Sequence, residues 1–297
     1  MTRLLALLAA VAIPTMVGGA TGTGAAVRDR AVPAARCITG DGRVAVPAGV
    51  VLLGEDGASR PGRRVAVAAF RIDRHEVTNR QFASFVAATG YRTRAERDGA
   101  SALFVSPAAP VSLDDPAQWW RYVRGADWRH PAGPASDLTG RAELPVVHVD
   151  RDDAAAYARW VGGFLPGVEQ WERAARADQR DPREPTEWAF AGGKPRANVW
   201  EGAFPMKDTA DDGYAGAAPV GCFEANGLGL YDMVGNVWEW VAGNGDVGLV
   251  KGGSYLCAPN YCANFRPAAF QAQERDLPTS HIGFRVAYPP APQRDPT

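Results

Sequence analysis

Tyr231-Asp-Met-Val-Gly-Asn-Val-Trp-Glu-Trp240 and, a short way on, Gly252-Gly-Ser-Tyr-Leu-Cys-Ala-Pro-Asn-Tyr-Cys262 are apolar but cut up by glycines. Neither sustains the period of a helix or a long strand, so the backbone here is expected to be turn-rich. The same texture extends outward on both sides. From Ala177 onward there are only short apolar pieces between glycines, and no helix is expected there. The chain has 33 glycines and 23 prolines, nearly a fifth of its residues. Glycine admits positive φ and proline interrupts ladders, so much irregular backbone follows.

The N-terminal half is more regular. Val46-Pro-Ala-Gly-Val-Val-Leu-Leu53 reads as a strand-like run after a turn, and Val65 to Ile72 as a second strand. Thr78 with Gln81 forms a capping box ahead of Phe82, Phe85 and Val86, with Gly90 able to close the helix. Asp150 can cap a second helix, with Asp153 in its first turn, Tyr157, Trp160 and Val161 on its apolar face and Gly162-Gly163 as its stop. A third helix begins near Pro166 and turns Val168, Trp171, Ala174 and Ala175 inward.

The first residues read as an export signal. Arg3 supplies a positive start, Leu4 to Val17 an apolar stretch, and Ala20 or Ala26 a cleavage site. A membrane span needs roughly 20 apolar residues, more than this run contains. The organisation expected is therefore a signal peptide at 1–26, a flexible leader at 27–45, one domain at 46–290 and a tail at 291–297. The mature protein is expected to be periplasmic or secreted, with no membrane partner after cleavage.

The 297 residues suffice for a substantial core. The 32 basic and 33 acidic residues nearly cancel and form no basic block, which removes the electrostatic support for a nucleic-acid partner. His75, His130, His148 and His281 are scattered, without a zinc-protease spacing. No nucleophile elbow or phosphate loop is present.

Chemistry thus concentrates on the four cysteines, Cys37, Cys222, Cys257 and Cys262. Four cysteines in an exported chain allow three connectivities. By spacing alone, Cys257 and Cys262 read either as a structural bridge or as a bis-thiolate site for a soft ion such as Cu(I). Two oxygen-rich loops, Asn198 to Tyr214 and Tyr231 to Trp240, read either as solvated turns or as calcium ligands.

Taken together, these segments resemble the formylglycine-generating enzymes, the oxidases that mature type I sulfatases. The resemblance runs from Val46-Pro-Ala-Gly49 to Gly283-Phe-Arg285. It is carried by Asp73-Arg-His-Glu-Val-Thr-Asn79, Trp119-Trp120, Gly125-Ala-Asp-Trp-Arg-His-Pro-Ala-Gly-Pro134, Pro145-Val-Val-His-Val149, Gly235-Asn-Val-Trp-Glu-Trp240 and Gly252-Gly-Ser254 with the cysteine pair. It implies an irregular α+β fold of the formylglycine-generating-enzyme (C-type-lectin-like) type, a single domain low in regular secondary structure. It also implies a Cu(I) cofactor on Cys257 and Cys262, with Ser254, Tyr261 and Trp238 lining the active site. The partners implied are O2 and a cysteine-containing client protein or peptide, a sulfatase or a copper enzyme, one cysteine of which would be converted to Cα-formylglycine. Structural Ca2+ would sit on the side chains of Asn198 and Asp212 with the carbonyls of Val199 and Tyr214. A second would sit on Asp232 and Glu239 with the carbonyls of Gly235 and Val237.

Three positions depart from that pattern. Phe270 stands where the family has arginine, His281 where it has asparagine, and Ala258 where it has histidine. They motivate an alternative: a copper-binding maturation or chaperone protein for another exported enzyme, such as a copper nitrite reductase, without sulfatase-modifying activity.

Overall fold

The structure is a computed structural model that describes residues 37–38, 40–54, 62–177, 185–191, 194–243 and 247–292. The expected signal peptide at 1–26, the 27–36 part of the leader and the end of the tail, 293–297, lie outside the described residues. Among the described residues no helix is long and apolar enough to cross a membrane.

An antiparallel ribbon opens the domain. Strand β1 (Arg43–Val46) is followed by β2 (Gly49–Leu53), β3 (Arg63–Val67) and β4 (Phe70–Asp73). Val46 opposes Phe70 and Gly49 opposes Val67, so β1 with β4 and β2 with β3 are two halves of one ribbon. Each expected run, Val46–Leu53 and Val65–Ile72, is therefore split in two. Pro47 has no N–H to give a ladder, and the ribbon breaks there. Order also begins earlier than Val46: β1 starts at Arg43, Cys37 is bridged to Cys222, and Ile38 N donates to Gly221 O at 3.1 Å.

The expected helices form. In α1 (Asn79–Thr89), Thr78 and Gln81 make the reciprocal capping box, Gly90 ends the helix, and Phe82, Phe85 and Val86 are buried. A short α2 (Arg94–Asp98) carries its own Thr93/Glu96 box; at five residues it is too brief to show an apolar period. Hairpin β5 (Ala100–Phe104) and β6 (Trp120–Arg124) comes next. Asp150 and Asp153 cap α3 (Arg151–Trp160), and α4 (Val168–Arg176) buries Trp171, Ala174 and Ala175. Contrary to expectation, a short helix, α5 (Pro185–Ala189), follows Ala177 among the described residues.

Small hairpins then lead to the central sheet: β7 (Phe190–Ala191) with β8 (Lys194–Pro195), and β9 (Gly202–Ala203) with β10 (Lys207–Asp208). The sheet itself contains β11 (Trp238–Val241), β12 (Val247–Lys251), β13 (Phe270–Glu274) and β14 (Ile282–Gly283), in the order β13-β12-β11-β14. Finally β15 (Ala287–Tyr288) returns to pair with β4 and closes the chain onto its own beginning. The result is a single irregular α+β domain.

The main core gathers Phe82, Phe85, Trp128, Tyr157, Trp238, Trp240, Phe265 and Phe284, with Cys257 among them. A separate aromatic cluster, Trp119, Trp200 and Phe204 with Leu256 and Ala258, packs against Phe104, Trp120 and Tyr255.

Candidate functional site

The Gly252–Cys262 segment is held by a chain of tight turns at the end of β12. Gly253 has φ +80, and a Cβ there would meet the Phe265 backbone at 3.0 Å, so the residue must lack a side chain. Ser254 is buried; its carbonyl accepts from Cys257 N at 2.9 Å and its hydroxyl from Leu256 N at 3.2 Å. Tyr261 N then donates to Ala258 O at 3.1 Å, and Asn264 N to Cys262 O at 2.7 Å. On the far side, Trp200 N donates to Cys257 O at 3.0 Å.

These turns bring the two thiols together. Cys257 Sγ and Cys262 Sγ lie 3.3 Å apart, both free, whereas Cys37 and Cys222 are bridged to each other. The connectivity left open by the sequence is thereby resolved. Cys257 is buried and Cys262 partly open. Burial, then the hydrogen bond with Cys262, pushes the Cys257 thiol well up. The Cys257 hydrogen bond pulls Cys262 down, helped by Asn264 Nδ2, which donates to its sulfur at 3.4 Å. These opposite directions make Cys262 the sulfur that more readily becomes thiolate.

Trp238 is fully buried in the core cluster that contains Cys257, and its backbone N–H donates to His281 O at 3.0 Å. Tyr261 is 40% exposed beside Cys262. Among the departures, Ala258 is packed inside the aromatic cluster and Phe270 is 51% exposed. His281 Nδ1 lies 2.8 Å from Thr279 Oγ1 and its ring 4.8 Å from that of Trp120; burial holds it neutral, near 3.

Asn198 is placed by its backbone carbonyl, which accepts from Asn236 N at 2.8 Å, and by its amide, which donates to Gly216 O at 2.8 Å. Asn198 Oδ1 and Asp212 Oδ2 are both buried without a hydrogen-bond donor, and burial raises Asp212 to about 7. Two orphaned oxygens flanking one loop suit a hard cation, with the carbonyls of Val199 and Tyr214 belonging to the same segments. The second set is arranged differently. Both oxygens of Glu239 are taken: Arg285 Nη2 donates at 2.6 Å to one, and Arg285 Nε and Trp171 Nε1 each donate at 2.7 Å to the other. Asp232 Oδ2 accepts from Gly221 N at 2.6 Å. Gly235, at φ +79, passes so close to Asn198 that a Cβ would lie 2.3 Å from its carbonyl oxygen. The charge of Glu239 is thus already met by a guanidinium, so an ion there would have to share it.

Two polar residues were not singled out in the sequence. Asn236 and Glu76 are fully buried and bonded to each other; Asn236 carried the faint signal of a polar residue in an apolar run, and Glu76, among polar neighbours, carried none. Among the described residues no group of three or more His, Cys, Asp or Glu could hold a metal ion. Among the described residues the cysteine pair therefore offers two sulfurs with no third His, Cys, Asp or Glu ligand beside them. That donor set fits a two-coordinate soft ion and does not fit zinc, which wants four nitrogen or sulfur ligands.

Comparison with known proteins agrees with this architecture. A family model described as a sulfatase-modifying factor enzyme 1-like domain matches residues 29–289. A protein named Formylglycine-generating enzyme from Thermomonospora curvata is 42% identical over 287 residues, covering 84% of this chain and 94% of that protein. One of the same name from Mycobacterium tuberculosis is 43% identical over 271 residues, covering 77% and 91%. The solved structure of PvdO from Pseudomonas aeruginosa is 23% identical with a TM-score of 0.59, covering 83% of this chain and 94% of that one. At that identity the likeness is one of fold.

Proposed function

The chain belongs to the sulfatase-modifying factor enzyme family, and on that premise we propose that it is an exported, copper-dependent oxidase converting a cysteine of a client protein to Cα-formylglycine with O2. One observation carries the reading: two free thiols 3.3 Å apart, one buried and one open, in a chain whose other two cysteines are bridged. The relatives' name supports the reaction type. The leader composition supports export, as does the Cys37–Cys222 bridge, because disulfides persist outside the cytosol.

Cys257 and Cys262 would hold the copper, which when bound supplies a soft, electron-rich centre for O2 and for a client thiolate. The chain's own residues prepare that site. Binding a soft cation expels the proton that Cys257 shares with Cys262, so affinity rises with pH. Ser254 fixes Cys257 through its carbonyl, and the core cluster that buries Cys257, Trp238 among its members, would keep water from that side. Tyr261 stands at the open side, where a client peptide must enter. Structural calcium on Asn198, Asp212 and the carbonyls of Val199 and Tyr214 is part of the proposal, supported by the two orphaned oxygens. A second ion on Asp232, Glu239 and the carbonyls of Gly235 and Val237 would lie beside Arg285.

The test is direct. Cu(I)-loaded protein is incubated with O2 and a peptide carrying a Cys-x-Pro-x-Arg segment, and the cysteine is followed by mass spectrometry. Loss of mass at that cysteine, abolished in Cys262→Ser, is the expected result. An unchanged peptide with copper bound and the fold intact would sink the sulfatase-type reading.

The exposed phenyl of Phe270 and the neutral, buried His281 favour a second reading, a copper-binding maturation protein for another exported enzyme. Neither offers charge or polar reach to a peptide. Tight copper binding with transfer to a copper enzyme and no peptide oxidation would support it.

A further inference from the structure

Tyr261 is the residue in the site whose surroundings ask for more than packing. It precedes Cys262 directly, yet its ring is 40% exposed, and its hydroxyl has no hydrogen-bond partner among the described residues. A tyrosine hydroxyl can both donate and accept, so it is available to a bound peptide. A half-exposed tyrosine at a loop tip would ordinarily sample several rotamers.

What prevents this is Phe204. Its ring stacks on Tyr261 with centroids 4.5 Å apart and planes within 6° of parallel. Phe204 is itself boxed in: Trp200 meets it edge-on at 5.2 Å, Trp119 at 5.5 Å, and Phe104 lies tilted at 5.8 Å. Trp119 also meets the Tyr261 ring edge-on at 5.5 Å, closing a second side. The backbone completes the bracket. Trp200 N holds Cys257 O at 3.0 Å, so the Trp200–Phe204 segment grips one cysteine by its main chain and the neighbour of the other by a ring. The hairpin β9–β10 that presents Phe204 is braced by Asp208 Oδ1, which accepts from Glu201 N at 3.1 Å and Ala210 N at 3.0 Å.

We propose that Phe204 is a positioning residue: by stacking on Tyr261 it fixes that ring and its free hydroxyl at the open side of the cysteine pair, and so sets the affinity for the client peptide. The inference rests on the oxidase reading for the nature of the client. Phe204 does not touch the sulfurs; it acts through Tyr261. Removing it leaves both thiols and their hydrogen bonds in place while freeing the tyrosine to rotate, an entropic loss felt on peptide binding and not on metal binding.

The experiment uses the full chain loaded with Cu(I) and a fluorescein-labelled peptide carrying the Cys-x-Pro-x-Arg segment, with affinity read by anisotropy. Phe204→Leu is expected to weaken peptide binding about tenfold, the scale a single aromatic pair supplies. Copper affinity, read by competition with a Cu(I) chelator, should be unchanged. Phe204→Tyr keeps a flat ring and should restore peptide binding. In a Tyr261→Leu background, Phe204→Leu should add no further loss, because the two act as one unit. Phe204→Met, of similar volume, makes the same comparison should the leucine variant fail to fold. Unaltered peptide binding in the leucine or methionine variant, joint loss of copper and peptide, failure of Phe204→Tyr to rescue, or additive losses would each overturn the proposal. Wild-type protein that binds the peptide without oxidising it would sink the oxidase reading alone; wild-type protein that does not bind it would sink this inference.

Discussion

Asn236 Nδ2 donates to Glu76 Oε1 at 3.1 Å, joining segments 160 positions apart in the chain. The same side chain accepts through Oδ1 from Asn198 Nδ2 at 3.1 Å and from Ala218 N at 2.9 Å. One buried amide thereby ties together the His75-Glu76-Val77, Asn198-Val199-Trp200 and Gly235-Asn236-Val237 segments, from a backbone at φ +55 that asparagine tolerates. Asn236→Ala strands two donors and one acceptor, and leaving even one buried group unsatisfied costs about 1–3 kcal/mol. A loss of about 2 kcal/mol should lower Tm by roughly 4–8 °C for a domain of this size, measurable by calorimetry. Asn236→Asp should be at least as damaging, because it replaces the donor facing Glu76 with a carboxylate.

The helices were legible because their signals are local. Thr78/Gln81 and Asp150/Asp153 announce helix starts in adjacent residues, and both boxes are present in the fold. The glycine-rich second half announced irregularity, which is also what the fold contains. Long-range relationships left no such mark. The Asn236–Glu76 bond and the split of the first ribbon at Pro47 depend on which segments meet in space. The cysteine pair was visible by its spacing, but whether it was bridged was not, since four intervening residues permit either state. Phe204 was missed for a related reason: a phenylalanine before a proline resembles any core residue until Tyr261 is placed against it.

Arg285 and Glu239 form an ion pair at 2.6 Å, each with almost no exposure. Arg285 also donates to the carbonyls of Tyr231 and Asp232 at 3.0 and 3.3 Å, so it ties β11 to the preceding loop. Removing one member of a buried pair leaves an uncompensated charge, at a cost of about 3–5 kcal/mol. Arg285→Met is therefore expected to shift the urea midpoint sharply downward. Combining it with Glu239→Gln should recover part of that loss, a double-mutant cycle with a clearly nonzero interaction term. Additive losses would show that the pair is not the source of the stability.

Asp73 offers a pH test away from the thiols. Burial raises its carboxyl from 3.8 to about 7, opposed by hydrogen bonds from Tyr288 and Val286 N. The folded state thus holds a proton that the unfolded state has released between about pH 4 and pH 7. Stability must fall as pH rises through that window, since the native state binds more protons there. Asp153 is raised to about 7 as well, by burial and then by Asp150, and contributes with the same sign. Urea midpoints in the presence of chelator should rise from pH 8 to pH 5. Asp73→Asn should flatten that slope by up to about one proton near pH 5.5, while a slope left unchanged would remove Asp73 as its cause.

The two free thiols should differ in reactivity. Cys262 is partly open, hydrogen-bonded to Cys257 and Asn264 and pulled down, whereas Cys257 is buried and its thiol is pushed up. Alkylation by iodoacetamide near neutral pH should mark Cys262 first and Cys257 slowly, with Cys37 and Cys222 untouched until reductant is added. Cys257→Ala removes the donor that lowers Cys262, so its alkylation should slow although access to it improves. That opposition separates electrostatics from exposure: a mere accessibility effect would speed the reaction. Asn264→Leu should slow it to a smaller extent, since Asn264 is the lesser of the two donors. Cu(I) at one equivalent should protect both sulfurs together. Peptide mapping by mass spectrometry reads all four cysteines at once, and modification of Cys257 ahead of Cys262 would invert that ranking of the two thiols.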